Sequence, residues 1–351
     1  MSNTNIFPVK ILQVTGRTVV TCNEVNEQTM KEVGLTEADL EEFVRTNVEI
    51  LFPEGEETLL IIGQQVRNRL SGRADLVALD KKGNIVLIEL KRDRDDIAQR
   101  KEPFEFQAIR YAANYALIKT QQDIVRQLFA PYIERHRDEP KFQQALSSGL
   151  TASELATRIL AKFLQDNQAQ GTLNRYQRIL LIAASFDGQT LSACAWLAKN
   201  NIDVRCIIIS PMQYDQQYFF KVEQIIPPPA LEKYYVEIAE PTISSIATTS
   251  LTEMQPRQVL PRMNDLLNWG LVSVGDRLYI RYYDSDSAEI IDHAYVKYQE
   301  QKMKYNDWGQ KLTGWSSINI YEWTVHEPTN KTLDTLRREK LEELSQDVSV
   351  A

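Results

Sequence analysis

GRADLVALDKKGNIVLIELKR, residues Gly72 to Arg92, holds two apolar runs, Leu76–Leu79 and Ile85–Ile88, on either side of Asp80-Lys81-Lys82-Gly83-Asn84. Glycine in a short polar loop between β-rich runs predicts a hairpin. With Lys81-Lys82-Gly83 as a three-residue loop, Asp80 faces Asn84. Counting outward pairs Leu79 with Ile85, Val77 with Leu87 and Asp75 with Glu89. Strand alternation then puts Lys91 on the same face as Glu89. Two carboxylates opposed on neighbouring strands repel, and a divalent cation with a lysine beside it offsets that repulsion. Ordinary rim charges on a surface hairpin are the plainer alternative. They fit poorly, because both strand faces are otherwise apolar: Leu76, Ile88 and Leu90 on one, Val77, Leu79, Ile85 and Leu87 on the other. Such strands belong in the middle of a covered sheet.

The 351 residues provide for two or three domains with ample core, and 43% hydrophobic with 25% charged residues is an ordinary globular profile. No apolar run reaches membrane-span length. The N-terminus, MSNTNIFPVK, lacks a basic-then-apolar layout, so a cytoplasmic location is expected. Cys22, Cys194 and Cys206 form no metal spacing and read as small apolar residues. Three separated histidines, His136, His293 and His326, make a histidine-based metal site or triad a poor reading. A net charge of −8 argues against a surface that binds nucleic acid everywhere. Between Val66 and Lys101, however, ten basic residues stand against six acidic ones, a local excess of +4 that suits an anionic ligand.

Along the chain, VKILQV and RTVVTC read as short strands split by Thr15-Gly16. Thr36 with Asp39 predicts an imperfect capping box for a helix reaching about Leu51, with Leu40, Phe43, Val44, Val48 and Leu51 as its apolar stripe. LLIIGQQV is a strand ahead of the hairpin. Helices are expected from about Pro103, around 121–136 and over 151–167. RILLIAASF (178–186), a helix over 187–199 and DVRCIIIS (203–210) form a strand–helix–strand crossover that extends the sheet. Pro227-Pro228-Pro229 and ISSIATTS mark a linker. A second unit follows, with a helix over Asn264–Trp269, strands near Arg277–Tyr283 and Glu289–Val296, a Trp-rich region from Trp308 to Trp323 and a charged helix over Leu333–Leu344.

Asp followed by Glu-x-Lys on the next strand is the arrangement of metal-dependent phosphodiesterases. Asp75 and Glu89 are the expected ligands for magnesium, a cation that prefers oxygen and keeps waters. Lys91 is placed to neutralise developing charge. A further acid from the preceding helix completes the site, Glu41 or Glu42, although a solvated helix charge is the default for either. These residues carry a resemblance. LTEADLEEFVRTNVEILF, LLIIGQQV, GRADLVALDKKGNIVLIELKRDR and QAIRYAANYA resemble the PD-(D/E)xK nuclease superfamily, in particular archaeal and bacterial endonucleases with RecB-like nuclease domains. The likeness covers roughly residues 35–120 and weakens toward Pro229. It implies an α/β fold, a restriction-endonuclease-like mixed β-sheet core flanked by helices. It matches Asp75, Glu89 and Lys91 to the core acids and lysine, Glu41 to the helix glutamate, and Gln107 and Tyr111 to a Gln-x-x-x-Tyr pair one turn apart. Ala74 stands where the superfamily name has proline.

The C-terminal segment, with Leu266-Leu267, Gly275-Asp276, Gly314-Trp315, Trp323 and Leu336-Arg337, resembles the RAMA domain found with restriction and DNA-modification proteins; its serine motif, Ser316-Ser317-Ile318-Asn319, is imperfect. That implies a small α+β domain recognising DNA, modified DNA included, with Trp315 and Asn319 as contacts. Most aromatic residues there read more simply as core. The expected organisation is an N-terminal strand-rich extension (1–34), a nuclease-like domain (35–229), a linker (230–258) and a RAMA-like domain (259–345). The expected activity is Mg2+- or Mn2+-dependent DNA hydrolysis in restriction or repair, with DNA as partner, Arg73, Arg92 and Arg94 near its phosphates, and a homodimer possible. The rivals are a catalytically silent DNA-binding protein of the same fold and an RNA-directed nuclease.

Overall fold

The computed structural model describes residues 9–14, 17–22, 26–52, 56–67, 73–92, 103–214, 216–227 and 260–350, with side chains throughout except at 9–14, 17–22, 26 and 345–350. The expected linker, Arg94 and the side chain of Cys22 lie outside the described residues. Strands β1 (Val9–Val14) and β2 (Arg17–Cys22) pair as an antiparallel ribbon. Most of the first unit is built on a mixed seven-stranded sheet in the order β3-β8-β7-β6-β5-β4, with β9 added on β8. These strands are β3 (Asn26–Glu27), β4 (Leu59–Arg67), β5 (Arg73–Asp80), β6 (Ile85–Lys91), β7 (Gln177–Ala183), β8 (Val204–Tyr214) and β9 (Gln217–Ile226). Strand β3 pairs with Met212 and Gln213, so the end of the expected N-terminal extension belongs to the main sheet.

The hairpin folds in the counted register, with Val77 opposite Leu87 and Leu79 opposite Ile85. Its turn is closed by the Asp80 carboxylate, whose Oδ1 accepts from the Lys82 and Asn84 backbone N–H groups at 2.9 and 2.8 Å. Gly83 has φ +76°, and a Cβ there would come within 3.3 Å of Leu164 and 3.4 Å of the Ala169 carbonyl, so only glycine suits this position. Strands β6, β7 and β8 run parallel, as a crossover through α7 (Gly188–Lys199) requires. Leu76 to Leu79 and Ile85 to Ile88 are all fully buried, each apolar side chain contributing roughly 1.5–3 kcal/mol of burial free energy.

Helix α1 (Glu37–Thr46) begins in the full Thr36/Asp39 capping box and contacts β5 and β6. It stops earlier than its apolar stripe predicts. Asn47 donates from its side chain to the Phe43 carbonyl at 2.9 Å, and Val48–Leu51 continue as a 3-10 turn. Helix α2 (Phe104–Tyr115) contacts β6 and β7. Then α3 (Gln121–Ile124), a π-turn (Val125–Phe129) and α4 (Ala130–Arg135) run on as one rod, followed by α5 (Pro140–Ser147) and α6 (Ala152–Asp166). The sequence reading did not anticipate α5 or β9; β9 is half-exposed along most of its length and so shows no buried alternation. No helix among the described residues is long and apolar enough to cross a membrane. Cys194 and Cys206 are free and buried.

The second unit is a six-stranded antiparallel sheet ordered β13-β12-β11-β10-β14-β15: β10 (Arg277–Ile280), β11 (Tyr283–Ile290), β12 (Tyr295–Tyr298), β13 (Gln301–Lys304), β14 (Thr324–His326) and β15 (Lys331–Thr332). With it go α8 (Met263–Asn268), α9 (Tyr305–Thr313), α10 (Ile320–Trp323) and α11 (Leu333–Val350). The strand expected over Glu289–Val296 is broken, because Asp292 Oδ1 accepts from Ala294 and Tyr295 N–H at 2.8 Å each and turns the chain.

This unit docks on edge strand β4 through the loop Ser316–Asn319. Leu59 N–H donates to the Ser317 carbonyl at 3.1 Å, Ser316 N–H to the Leu59 carbonyl at 2.9 Å, and Ile61 N–H to Ser316 Oγ at 2.9 Å. Trp315 packs edge-on against Phe163 of α6 and Trp323, with ring centroids 5.3 and 4.7 Å away, and Lys81 pairs with Glu322.

Candidate active site

At the end of the hairpin away from its turn, the sheet forks. The β5–β6 ladder ends at Leu76 and Ile88. Beyond it, β5 stays paired with β4 as far as Arg73, while β6 stays paired with β7 as far as Lys91. Asp75, Glu89 and Lys91 sit in this fork. Asp75 Oδ2 accepts from the Leu90 N–H at 2.8 Å, so a carboxylate takes the place of a strand partner. Glu89 is fully buried and Lys91 is 1% exposed, positions that charged groups hold only with partners. Lys91 Nζ lies 3.0 Å from Glu37 Oε1 and 4.0 Å from Asp75 Oδ2, and also donates to the Leu90 carbonyl. The Phe104 ring covers it, 5.6 Å from Nζ to centroid.

Helix α1 brings in Glu41, which is buried. Its neighbour Glu42 instead pairs with Arg45 at 2.6 Å and is half-exposed, so Glu41 is the helix acid at the fork. Burial raises the Glu41 carboxyl above its usual range; the Gln64 hydrogen bond lowers it and the charge of nearby Asp75 raises it again. Two consecutive glutamines of β4 hold this carboxylate. Gln64 Nε2 donates to Glu41 Oε1 at 2.8 Å. Gln65 Nε2 donates to Glu41 Oε2 and to Asp75 Oδ1, the latter at 3.2 Å. Helix α2 supplies Gln107, whose Nε2 donates to Glu89 Oε2 at 3.2 Å and to Tyr111 Oη at 3.3 Å. Tyr111 Oη in turn accepts from the Arg73 N–H at 3.0 Å. Tyr115 lies close enough to Glu89 for its charge to act: burial first, then Glu89, pushes the phenol up.

The expected residues therefore gather in two bridged pairs, Glu41–Gln65–Asp75 and Glu89–Gln107–Tyr111. Among the described residues, no group of three or more His, Cys, Asp or Glu side chains is close enough to hold a metal ion between them. Magnesium commonly uses only one or two carboxylates, completing its shell with water and phosphate oxygens. Asp75 and Glu41 fit that requirement, since one amide nitrogen reaches both carboxylates. Arg73 is exposed and Arg92 half-buried, both at the fork end.

Two expected contacts are corrected. Trp315 is 3% exposed and packed in the seam between the units, leaving no ring face for a base. Asn319 is buried; its Oδ1 caps α10 by accepting from Tyr321 N–H at 3.1 Å, and its Nδ2 donates to the Glu56 carbonyl at 3.0 Å. Glu37, Gln64 and Gln65 were not anticipated. The polar pair Gln64-Gln65, one glycine after the wholly apolar Leu59–Ile62, is the signal that could have found two of them.

No family model matches the chain, and no curated protein matches it. Among solved structures, that of an EndoMS–dsDNA2 complex is similar at 16% identity over 57% of this chain, with a TM-score of 0.22. The chain spans 65% of that neighbour's length, less than two thirds, and a likeness this loose carries no argument about fold or activity.

Proposed function

We propose that this chain is a magnesium- or manganese-dependent DNA endonuclease, acting in restriction or repair. The observation that carries the reading is the fork itself. Two acids and a lysine are held where two central strands part, with Glu41 entering from α1 and Gln107 and Tyr111 from α2. A fork frees backbone and side-chain groups in the middle of a sheet from strand pairing, as the Asp75 bond to the Leu90 N–H shows. The resemblance of the motifs over roughly residues 35–120 to PD-(D/E)xK nucleases supports the choice of phosphodiester chemistry.

In this reading Asp75 and Glu41 would hold the cation, while Glu89, also expected as a ligand, is tied to Gln107. When bound, the cation supplies Lewis-acid chemistry at the phosphate and makes water easier to deprotonate. Lys91, preplaced under the Phe104 ring, stabilises negative charge that develops as the bond breaks. Gln107 fixes the Glu89 carboxylate, and Tyr111 pins the start of β5 through the Arg73 N–H. Arg73 and Arg92 contact backbone phosphates, which position the duplex without reading its sequence. The second unit recognises DNA, and it does so through a surface other than Trp315 and Asn319. Exposed Tyr282 is an aromatic side chain available there.

Purified protein with Mg2+ and plasmid DNA should produce nicked or linear product on gels. Asp75→Asn and Lys91→Ala should each lower cutting at least about a hundredfold, the scale of removing one electrostatic stabiliser, with unchanged circular dichroism. Cutting that survives both substitutions would sink the site. A second reading, a DNA-binding protein without cleavage, draws on the hydrogen bonds that Lys91 and Asp75 already make to Glu37 and the Leu90 backbone. It predicts DNA binding that neither substitution turns into or away from cleavage. Comparing methylated with unmethylated duplexes tests the second unit as a reader of modification.

A further inference from the structure

Gln65 is held differently from every other residue at the fork. It stands opposite Asp75 in the β4–β5 register, between the pairs Gln64↔Leu76 and Val66↔Ala74. Successive strand residues point to opposite faces, yet Gln64 and Gln65 both reach Glu41. The left-handed backbone of Gln65, φ +52°, makes this possible, and a glutamine rarely adopts it. The two glutamines are anchored unequally. Gln64 is tied at three points: its amide to Glu41, its Oε1 to His136 Nε2 at 2.7 Å, and its carbonyl to Arg135 at 2.7 Å. Gln65 directs its amide nitrogen at the two carboxylates, while its buried Oε1 has no hydrogen-bond partner among the described residues.

A primary amide nitrogen carries two hydrogens and no lone pair to accept with. Placed between two carboxylates it does what a small cation does, donating partial positive charge to each. The reverse orientation would set its oxygen against both anions, so the nitrogen assignment follows from the charges around it. We propose that the Gln65 amide is a built-in occupant of the cation position: it bridges Glu41 and Asp75 when no divalent ion is bound, and must turn aside for one to enter. This rests on the reading of Asp75 and Glu41 as cation ligands. Gln65 is then a positioning residue that keeps two like charges together and sets how much free cation is needed to displace it. The unsatisfied oxygen and the left-handed backbone make the seated form easy to leave, while Gln64 keeps Glu41 in place during the exchange.

The test is calorimetric titration of the full chain with Mg2+ and, separately, Mn2+, without DNA. Gln65→Asn keeps a residue that tolerates the left-handed region but draws the amide back by one methylene; Gln65→Ala removes it. Both should bind the cation more tightly than wild type, by roughly five- to tenfold, the scale of one or two net hydrogen bonds. Both should also melt at a lower temperature without cation and recover more of that loss on adding it. Asp75→Asn should abolish binding. Equal or weaker binding by both Gln65 variants, with binding by wild type and none by Asp75→Asn, overturns the role of Gln65 alone. No binding by wild type or either Gln65 variant removes the ligand assignment, and the role of Gln65 with it.

Discussion

Glu49 lies in the 3-10 turn after α1, where the first unit meets α9. Its Oε2 is buried and accepts no hydrogen bond among the described residues. Burial is the main cause of a carboxyl held above its ordinary 4.5, and Asp307 of α9 acts the same way. A raised carboxyl binds its proton more tightly folded than unfolded. Glu49 therefore favours folding most below pH 4.5, and that advantage is lost as pH rises through its folded value. At pH 7 the charged group sits in an unfavourable place. Glu49→Gln should melt roughly 1–2 °C above wild type at pH 7, with the difference shrinking toward pH 4.5 in scanning calorimetry; a pH-independent difference would count against burial as the cause. Residues of this kind divide by legibility. Asp75, Glu89 and Lys91 could be read because a period of two and a hairpin count fix their face. Glu49 and Gln65 could not, since one depends on a neighbour 258 positions away in the chain and the other on a single left-handed dihedral.

Among the elements, β4 carries the most local information. Its register slips between Ile61 and Gly63, a bulge that re-aims the residues after it toward Glu41. Gly63 permits this. A Cβ there would lie 2.7 Å from Val66 Cγ2 and 3.4 Å from Val77 Cβ, and branched side chains in a sheet cannot yield. Gly63→Ala should destabilise by about 1–3 kcal/mol in urea unfolding. It should also weaken cation binding more than an equally destabilising substitution in α6; a loss of stability alone would detach the bulge from the site. The hairpin, the Thr36 cap and the β7–α7–β8 crossover were all readable, because turn chemistry, capping and chirality are local rules. The end of α1 was not. Val48 and Leu51 continue its apolar stripe, yet they are buried from a tighter turn that begins where the Asn47 side chain closes α1.

For the molecule as a whole, the two units share a seam. Trp315 is its anchor, touching Phe163 on one side and Trp323 on the other. Trp315→Ala should cost about 3–5 kcal/mol and split a single thermal transition into two; one sharp transition at a lower temperature would mean the units do not fold independently. The resemblance of the C-terminal segment to the RAMA domain placed Trp315 and Asn319 on DNA. It could not show that the same loop is spent on Leu59. That loop has a wider consequence. Leu59–Ile62 is an apolar edge strand, and the Leu59 N–H and C=O and the Ile61 N–H are satisfied by Ser316 and Ser317. Bare edges of this kind pair with other chains and aggregate. The C-terminal unit therefore acts as a solubility guard for the forked sheet. Trimming the chain back to its first unit would bare this edge and leave a fragment that self-associates, which gel filtration would show.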